Sequence, residues 1–214
     1  MVCTDSPYGI NYASKNEYLN RSDRGNRVQR PIINDDSPNV HALLTNALRI
    51  GREWALPGAV AYATVPSGPL LPGFIDAFNT SGFDFRHLLV WVKQQFVIGM
   101  SDYRYRHEAI LYGWGNGPHY WAGDRSQDSI FEVDRPHVSD LHPTTKPVEL
   151  VERMIANSSR PTEGIYDPFC GSGTTLVACE RLGRIGYGVE IDPAYAAVIL
   201  ERMSALNLIP ELVE

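Results

Sequence analysis

The sequence has few cysteines and no long apolar run. Three cysteines occur among 214 residues, at positions 3, 170 and 179, and their spacing matches neither a metal site nor a disulfide framework. This usage is typical of a reducing cytoplasm. No apolar run approaches the roughly 18–20 residues of a membrane-spanning helix, and the polar, acidic start does not resemble a signal peptide. We therefore predict a cytoplasmic protein without a metal site or a membrane segment.

The chain also lacks an excess of basic residues, since its formal net charge is −6. Residues 14–31 nevertheless hold five basic residues against two acidic ones. Such a patch is either a solvated loop or an arm that contacts phosphates, because local charge steers polyanions better than net charge does. The candidate phosphate-binding residues are Lys15, Arg21, Arg24, Arg27 and Arg30, together with Arg106 from a later part of the chain.

Strands and helices alternate along the sequence, which predicts an α/β protein with a mostly parallel sheet. Strands are predicted at 2–4, 59–64, 88–93, 107–112, 165–166 and 183–191, and helices at 41–54, 74–81, 147–157, 174–182 and from 193 onward. Residues 9–40 show no clear period and are predicted to be a mobile loop, and residues 113–141 a surface loop. The length of 214 residues predicts a single domain.

A glycine-containing turn, DPFCGSGTT at 167–175, lies between a predicted strand and a predicted helix. Gly171 and Gly173 allow the backbone to approach a ligand, and the amides near Thr174 at the helix start favour a negative group. Glu190 follows at the end of the next strand, where an acid can bind ribose hydroxyls. This context predicts a nucleotide-type site rather than a purely structural turn.

The same turn lacks the marks of other nucleotide sites. No lysine follows the glycines, which argues against an ATPase. Leu176 stands where a dinucleotide fingerprint has its third glycine, so a dinucleotide fits less well. A cofactor with a cationic amino-acid tail, held by a carboxylate such as Asp167, fits better. Cys170 has no neighbouring base and is predicted to line the pocket rather than to act as a nucleophile.

Four stretches follow one another in a characteristic order: TDSPYG (4–9), HPTTKP (142–147), DPFCGSGTT (167–175) and GVEIDPAY (188–195). In this order they resemble the beta class of S-adenosylmethionine-dependent DNA amino-methyltransferases, over nearly the whole chain. The order differs from that of glutamine and small-molecule methyltransferases, which carry the cofactor loop first. The resemblance implies a Rossmann-like methyltransferase fold, with a mostly parallel seven-stranded sheet, helices on both faces and a circularly permuted motif order.

The resemblance divides the single domain 1–214 into a catalytic half (1–112), a short target-recognition loop (113–141) and a cofactor-binding half (142–214). Glu190 would hold the ribose of S-adenosylmethionine, and His142 would form a hydrogen bond at the start of a helix rather than act as a base. The cofactor-binding residues implied by the resemblance are Thr144 and Lys146 at the methionine end, and Asp167, Phe169, Cys170, Gly171, Ser172, Gly173, Thr174, Glu190 and Asp192.

The resemblance assigns catalysis to the tetrapeptide Asp5, Ser6, Pro7 and Tyr8. The Asp5 carboxylate and the backbone carbonyl of residue 6 would accept the N–H bonds of an exocyclic amine and direct its lone pair toward the methyl donor. Tyr8 would stack on the base, which must leave the duplex stack. Ser6 stands where the family usually has proline, and we expect a modest effect on rate because the fixed φ is lost.

Aspartate at the first position of the tetrapeptide resembles the adenine-N6 enzymes, whereas serine would suggest cytosine-N4. We therefore expect a DNA methyltransferase of the restriction-modification type that methylates N6 of adenine in double-stranded DNA, with a short or weakly specific recognition sequence. The basic residues would contact DNA, and Arg106 and His107 would face the substrate or have core or surface roles. The alternatives are cytosine-N4 methylation, a non-catalytic module that binds DNA or a partner, and methylation of RNA or protein amines. A homodimer would match a frequent property of the family.

The catalytic tetrapeptide lies very early in this chain. In the family that the chain resembles, a strand and an acidic turn come before the tetrapeptide, and the acid helps to bind the cofactor's adenine. Only three residues precede Thr4 here. We therefore expect a fragment, one domain of a longer protein, or a shortened form with weak cofactor binding.

Overall fold

The computed structural model describes residues 1–23, 33, 35, 39–96, 102–135 and 145–213. Within these ranges the chain forms seven strands and six helices. In chain order they are β1 (Val2–Asp5), α1 (Tyr12–Asp23), α2 (Val40–Glu53), β2 (Val60–Val65), α3 (Leu71–Thr80), β3 (Asp84–Val92), β4 (His107–Trp114), β5 (Ile130–Glu132), α4 (Val148–Ser158), β6 (Gly164–Asp167), α5 (Thr174–Leu182), β7 (Ile185–Gly188) and α6 (Pro193–Ala205). None of the helices in these ranges is long and apolar enough to cross a membrane.

The seven strands form one sheet in the order β5-β3-β4-β2-β1-β6-β7. β4 runs antiparallel to both of its neighbours, and the other adjacent pairs are parallel. The expected mostly parallel sheet is therefore confirmed. The chain leaves β1 toward β2 on one side, and β6 pairs with β1 on the other, so a switch point lies between β1 and β6. Ligands of open α/β sheets bind at such a point, beyond the carboxyl ends of the strands.

Helices cover both faces of the sheet. Successive side chains of β1 point to opposite faces. Val2 packs in a cluster with Leu44 of α2 and Phe78 of α3. Cys3 points to the opposite face, into a cluster with Leu150 of α4 and Ala178 of α5. A strand covered on both faces lacks polar alternation, which explains why the central strands appear in the sequence as continuous apolar runs.

Two segments predicted to be loops contain regular structure. The prediction of a mobile loop over 9–40 is wrong for residues 12–23, which form α1. This helix has a polar sequence, and an ion pair between Glu17 and Arg21 spans one of its turns. The loop at 113–141 contains β5, whose three residues are too few to show an alternating pattern. β3 begins at Asp84, earlier than predicted, because its first residues are mostly exposed and form no apolar run.

Candidate active site

A cavity of about 420 Å³ opens beyond the carboxyl ends of β1 and β6. Its volume lies in the range of small-molecule sites. Its lining includes three turns at the ends of neighbouring strands, which are Asp5–Tyr8 at the end of β1, Asp167–Ser172 at the end of β6 and Val189–Asp192 after β7. Thr145 and Lys146 before α4, Glu108 of β4 and several residues of α2 also line it. The structure thus brings the predicted catalytic tetrapeptide and most of the predicted cofactor residues to one cavity.

Hydrogen bonds to β2 hold the residue that replaces the family's proline. The backbone N–H and the Oγ of Ser6 both donate to the carbonyl oxygen of Thr64, at 3.3 Å and 3.1 Å. Ser6 is buried. A proline at this position has no N–H and no hydroxyl, so it could make neither bond. The chain therefore fixes this turn by hydrogen bonding where a proline would fix it by its ring.

A second contact that the sequence did not predict fixes the end of the tetrapeptide. The buried Asp35 accepts hydrogen bonds on Oδ1 from the backbone N–H groups of Tyr8, at 2.9 Å, and Gly9, at 3.1 Å. Its own carbonyl accepts the N–H of Asn11 at 3.0 Å. Asp35 lies in a part of the sequence without a periodic pattern, so no local signal distinguished it from its neighbours.

A cluster of paired charges surrounds the carboxylate of Asp5. Lys146 Nζ lies 2.6 Å from Oδ2 of Asp5 and 3.2 Å from Oε2 of Glu108. Glu108 also forms an ion pair with Lys93 and accepts a hydrogen bond of 2.7 Å from the Tyr8 hydroxyl. That hydroxyl lies 3.3 Å from Oδ1 of Asp5. Lys146, which the resemblance assigned to the methionine end of the cofactor, thus contacts the predicted catalytic carboxylate.

Lys93 and Glu108 were not among the predicted site residues. Lys93 directly follows β3, and Glu108 is the second residue of β4. Because β4 is antiparallel, it starts at the sheet edge where β1, β2 and β3 end, so both side chains arrive beside Asp5. The available signal was a lysine at the end of one apolar strand and a glutamate at the start of the next, in the stretches WVK and RHEAIL.

Burial and pairing set the charges of this cluster. Burial raises the pKa of Asp5 to about 6; Lys146 acts to lower this pKa, and Glu108 to raise it. Burial alone would also raise the pKa of Glu108, but Lys146 and Lys93 together lower it to about 2. Burial and the two carboxylates raise the pKa of the Tyr8 hydroxyl well above its usual value. At neutral pH, Tyr8 is therefore a neutral donor beside ionised carboxylates.

The glycine turn after β6 is shaped by carboxylates that accept N–H and O–H groups. Oδ1 of the buried Asp167 accepts from the Thr4 hydroxyl at 2.6 Å and from the N–H of Phe169 at 3.1 Å. Glu190 accepts the N–H of Gly171 on Oε2 at 2.7 Å and that of Asp192 on Oε1 at 2.8 Å. Each oxygen of Glu190 retains a further lone pair that can accept from a ligand.

The position of Gly173 requires glycine for two reasons. Its φ is +78°, in the left-handed region that side chains disfavour. A Cβ atom would also lie 2.9 Å from Cγ1 of Ile199 on α6. Gly173 does not itself line the cavity, but it begins α5 and so determines where the first amides of that helix lie.

Cys170 and Asp192 have structural contacts in addition to their places on the cavity wall. The buried Cys170 Sγ lies 3.4 Å from the carbonyl oxygen of Asp167, and burial, with the Asp167 carboxylate, raises the pKa of the thiol. A thiol in such surroundings is inert as a nucleophile. Oδ1 of Asp192 caps α6 by accepting the N–H of Ala194 at 2.8 Å.

Most of the predicted DNA-contacting residues fall on parts of the chain that the structure does not describe. Arg24, Arg27 and Arg30 lie outside the described residues, as do His142 and Thr144, and Lys15 lies on α1 with its side chain outside them. Arg21 is exposed on α1, and Arg106 is exposed directly before β4. Among the described residues, no three His, Cys, Asp or Glu side chains form a group that could hold a metal ion.

Solved structures with the same fold include methyltransferases. The M1.HpyAVI-SAM complex superposes with a TM-score of 0.68 at 20% sequence identity, and covers 94% of this chain and 87% of that one. The PvuII DNA methyltransferase, which is cytosine-N4-specific, gives a TM-score of 0.67 at 14% identity, over 100% of this chain and 80% of that one. These likenesses show that the fold is that of the S-adenosylmethionine-dependent methyltransferases.

Curated relatives match parts of the chain. The Type II methyltransferase M.BglII of Bacillus subtilis is 27% identical over an alignment 168 residues long, which covers 64% of this chain and 47% of that protein. M2.DpnII of Streptococcus pneumoniae is 44% identical over 66 residues, which are 31% of this chain and 25% of that protein. This chain thus spans about half the length, or less, of these relatives. The family model described as DNA methylase, for N6 and N4 methyltransferases, matches residues 1–201. Because that match extends over nearly the whole chain, the protein belongs to the N6/N4 family of DNA methylases.

Proposed function

We propose that this protein transfers the methyl group of S-adenosylmethionine to the exocyclic N6 amine of adenine in double-stranded DNA. The observation that carries the proposal is that the Asp5 carboxylate and the glycine turn at 167–173 face one cavity of about 420 Å³. Family membership and the Type II methyltransferase relatives support DNA as the substrate. In this proposal residues 1–112 bind the target base, 113–141 contribute to target recognition and 142–214 bind the cofactor, within one domain.

The residues of the cofactor side fit S-adenosylmethionine. Glu190 has both carboxylate oxygens held by backbone N–H groups, and its remaining lone pairs can accept two vicinal ribose hydroxyls. Phe169 and Ile191 also line the cavity and offer apolar surface to an adenine ring. Gly173 directly precedes α5, and the first two residues of that helix, Thr174 and Thr175, line the cavity. When bound, the cofactor supplies an electrophilic methyl group on a sulfonium.

The residues of the other side activate the amine. Its lone pair is delocalised into the base, so it becomes nucleophilic only when its N–H bonds are directed to acceptors. Lys146 binds Oδ2 of Asp5, which leaves Oδ1 as the acceptor for one N–H bond, and the backbone carbonyl of Ser6 is the proposed second acceptor. Tyr8 provides the stacking surface for the flipped base. Rate then comes from positioning and from charges that are already in place.

Adenine is proposed over cytosine because the tetrapeptide begins with aspartate. Both kinds of enzyme belong to the same family, and one of the structural neighbours is cytosine-N4-specific. The geometry of two acceptors beside a methyl donor is suitable for either exocyclic amine. The experiment must therefore identify the methylated nucleoside.

Tritiated S-adenosylmethionine and unmethylated duplex DNA should be incubated with the wild-type protein, with Asp5→Ala and with the matched control Asp76→Ala, an exposed position on α3. The DNA is then digested to nucleosides. Label in N6-methyladenine that is absent with Asp5→Ala and retained with Asp76→Ala would support the proposal. Label in N4-methylcytosine would support the proposed mechanism but would show that the methylated base is cytosine rather than adenine. A folded wild-type protein that transfers no label would overturn methyl transfer and favour a binding role.

A further inference from the structure

The charges around Asp5 come from several elements that end or begin at one edge of the sheet. Asp5 is the last residue of β1, Lys93 follows β3, Glu108 is the second residue of β4, and Lys146 precedes α4. The side chains of Lys93, Lys146 and Glu108 are 5%, 8% and 18% exposed. The side chain of Asp5 is 28% exposed. Two carboxylates and two ammonium groups thus balance one another at the wall of the cavity, with the ammonium groups buried.

Such a cluster is a costly way to fill a protein interior. Taking several charges out of water costs more than their mutual attraction usually returns, and apolar side chains of similar volume are often as stable or more so. Glu108 lines the cavity beside Asp5, and its carboxylate contacts Lys93, Lys146 and the Tyr8 hydroxyl. Its position beside the reacting carboxylate therefore suggests a role in the reaction rather than in stability.

We propose that Glu108 is a positioning residue of the methyl transfer, which acts through Lys146 and Tyr8 to hold the Asp5 carboxylate as an open acceptor for the amine. The inference rests on the proposed function, because it assigns Glu108 a part in that reaction. Glu108 itself does not touch the transferred methyl group or the target base.

The geometry explains how Glu108 would act. The Tyr8 hydroxyl has one hydrogen, which it donates to Glu108 at 2.7 Å and therefore does not place on Oδ1 of Asp5, 3.3 Å away. Lys146 is shared between the two carboxylates, so it does not close fully on Asp5. When position 108 carries no negative charge, Lys146 and the Tyr8 hydroxyl are attracted mainly to Asp5, and a hydroxyl that donates to Oδ1 competes with the amine. Lys93 pairs with Oε1 of Glu108, whereas Lys146 and Tyr8 contact Oε2.

The same contacts determine the charge of Asp5. The groups that face Asp5 from the surrounding elements are Lys146, Glu108, Tyr8 and Asp167, and Lys93 acts through Glu108. Burial first, and then the negative charge of Glu108, keep the pKa of Asp5 high, at about 6. Replacing Glu108 by glutamine removes one of the groups that raise this pKa. In a plot of kcat against pH, activity falls on the acidic side as Asp5 becomes protonated. In the glutamine variant this fall, the acid limb of the profile, should occur at a lower pH.

The test compares wild type, Glu108→Gln, Glu108→Asp and the control Glu53→Gln, an exposed glutamate at the end of α2 away from the cavity. For each protein, kcat for label transfer to unmethylated duplex DNA is measured across the acid and neutral range, with cofactor affinity by calorimetry and stability by thermal unfolding. For Glu108→Gln we expect kcat to fall about 10²-fold, an acid limb at lower pH and an unchanged cofactor affinity. Glu108→Asp should recover part of kcat, and Glu53→Gln should match wild type.

The outcomes separate this inference from the proposed function. An unchanged kcat in Glu108→Gln, or a reduced kcat with an unshifted acid limb, overturns the positioning role while wild-type transfer stands. A loss of cofactor affinity or of folding in proportion to kcat assigns Glu108 a structural role and likewise overturns the inference. A folded wild-type protein without transfer overturns both proposals together.

Discussion

The two sides of the cavity hold buried carboxylates in different ways. On the β1 side, Asp5 and Glu108 are balanced by the ammonium groups of Lys146 and Lys93. On the β6 side, the Asp167 carboxylate accepts hydroxyl and backbone N–H groups of the described residues. Paired charges respond to pH and to each other, whereas N–H groups fix the shape of a turn. The β1 side is thus organised by charge and the β6 side by backbone geometry.

The two sides also differ in how well the surrounding strands are covered. β2, beside β1, is buried throughout. On the cofactor side, β7 is an edge strand, and Tyr187, Val189 and Ile191 are 57%, 52% and 64% exposed. A region with fewer buried contacts opens at a lower free-energy cost. We therefore expect the glycine turn at 167–173 to open more readily than the turn that carries Asp5.

We expect the largest loss of stability when one of the paired charges on the β1 side is removed. Lys146→Met leaves Asp5 and Glu108 facing each other without the ammonium between them. Removing one partner of a buried ion pair typically costs about 3–5 kcal/mol, and we expect a loss of this order in the free energy of unfolding, measured with urea. The exposed Arg49→Met on α2 is the control. Adding Glu108→Gln to Lys146→Met should restore part of the loss; a double variant as unstable as the sum of both single ones would contradict charge balance as the cause.

For Asp5→Asn we expect a smaller change in the free energy of unfolding, and an increase rather than a loss. Because the folded protein holds the pKa of Asp5 at about 6, above its usual value of 3.8, it binds the proton more tightly than the unfolded chain does. Ionised Asp5 therefore costs stability, and this cost develops as pH rises from about 3.8 to about 6. At neutral pH, Asp5→Asn should be more stable than wild type by roughly 1–3 kcal/mol, although it transfers no label.

Unfolding free energies below and above this window test the prediction. The difference between Asp5→Asn and wild type should vanish at low pH. Glu108 has a lowered pKa of about 2, so its contribution runs the other way: it is present above about 4.5 and lost as pH falls through about 2. An Asp5→Asn variant less stable than wild type at neutral pH would mean that Asp5 is held mainly by its ion pair.

The smallest effect is expected on the cofactor side, from Gly173→Ala. The substitution introduces a side chain at a φ of +78° and a Cβ 2.9 Å from Ile199. The left-handed conformation alone costs about 1–2 kcal/mol, and the contact with α6 displaces the turn, so cofactor affinity should also fall. Gly183→Ala is a matched control, because its φ is +65° but no atom lies within 4 Å of the new Cβ. It should lose similar stability and keep cofactor affinity; equal affinities in both variants would contradict the role of the turn.

The sequence allowed the glycine turn and the tetrapeptide to be recognised as candidate site segments, because each is a short contiguous stretch next to an apolar strand. Both line the cavity. It did not reveal that Lys93 and Glu108 meet Asp5. That meeting depends on the antiparallel direction of β4, which periodicity does not report. Asp35 was missed because its partners are backbone N–H groups of another segment. From the sequence, Ser6 could be interpreted only as a missing proline. The structure shows that its N–H and hydroxyl bind the carbonyl of Thr64 and so fix the turn.

The burial of Cys170 within the glycine turn at 167–173 provides an internal reporter. Cys170 is 7% exposed and the pKa of its thiol is raised, so a thiol-alkylating reagent reacts with it mainly when the turn opens. The rate of modification at this one position therefore measures the free energy of local opening. A ligand that closes the turn slows the reaction by the factor by which it stabilises the closed state, so mass spectrometry of alkylated peptides can detect cofactor binding without any methyl transfer.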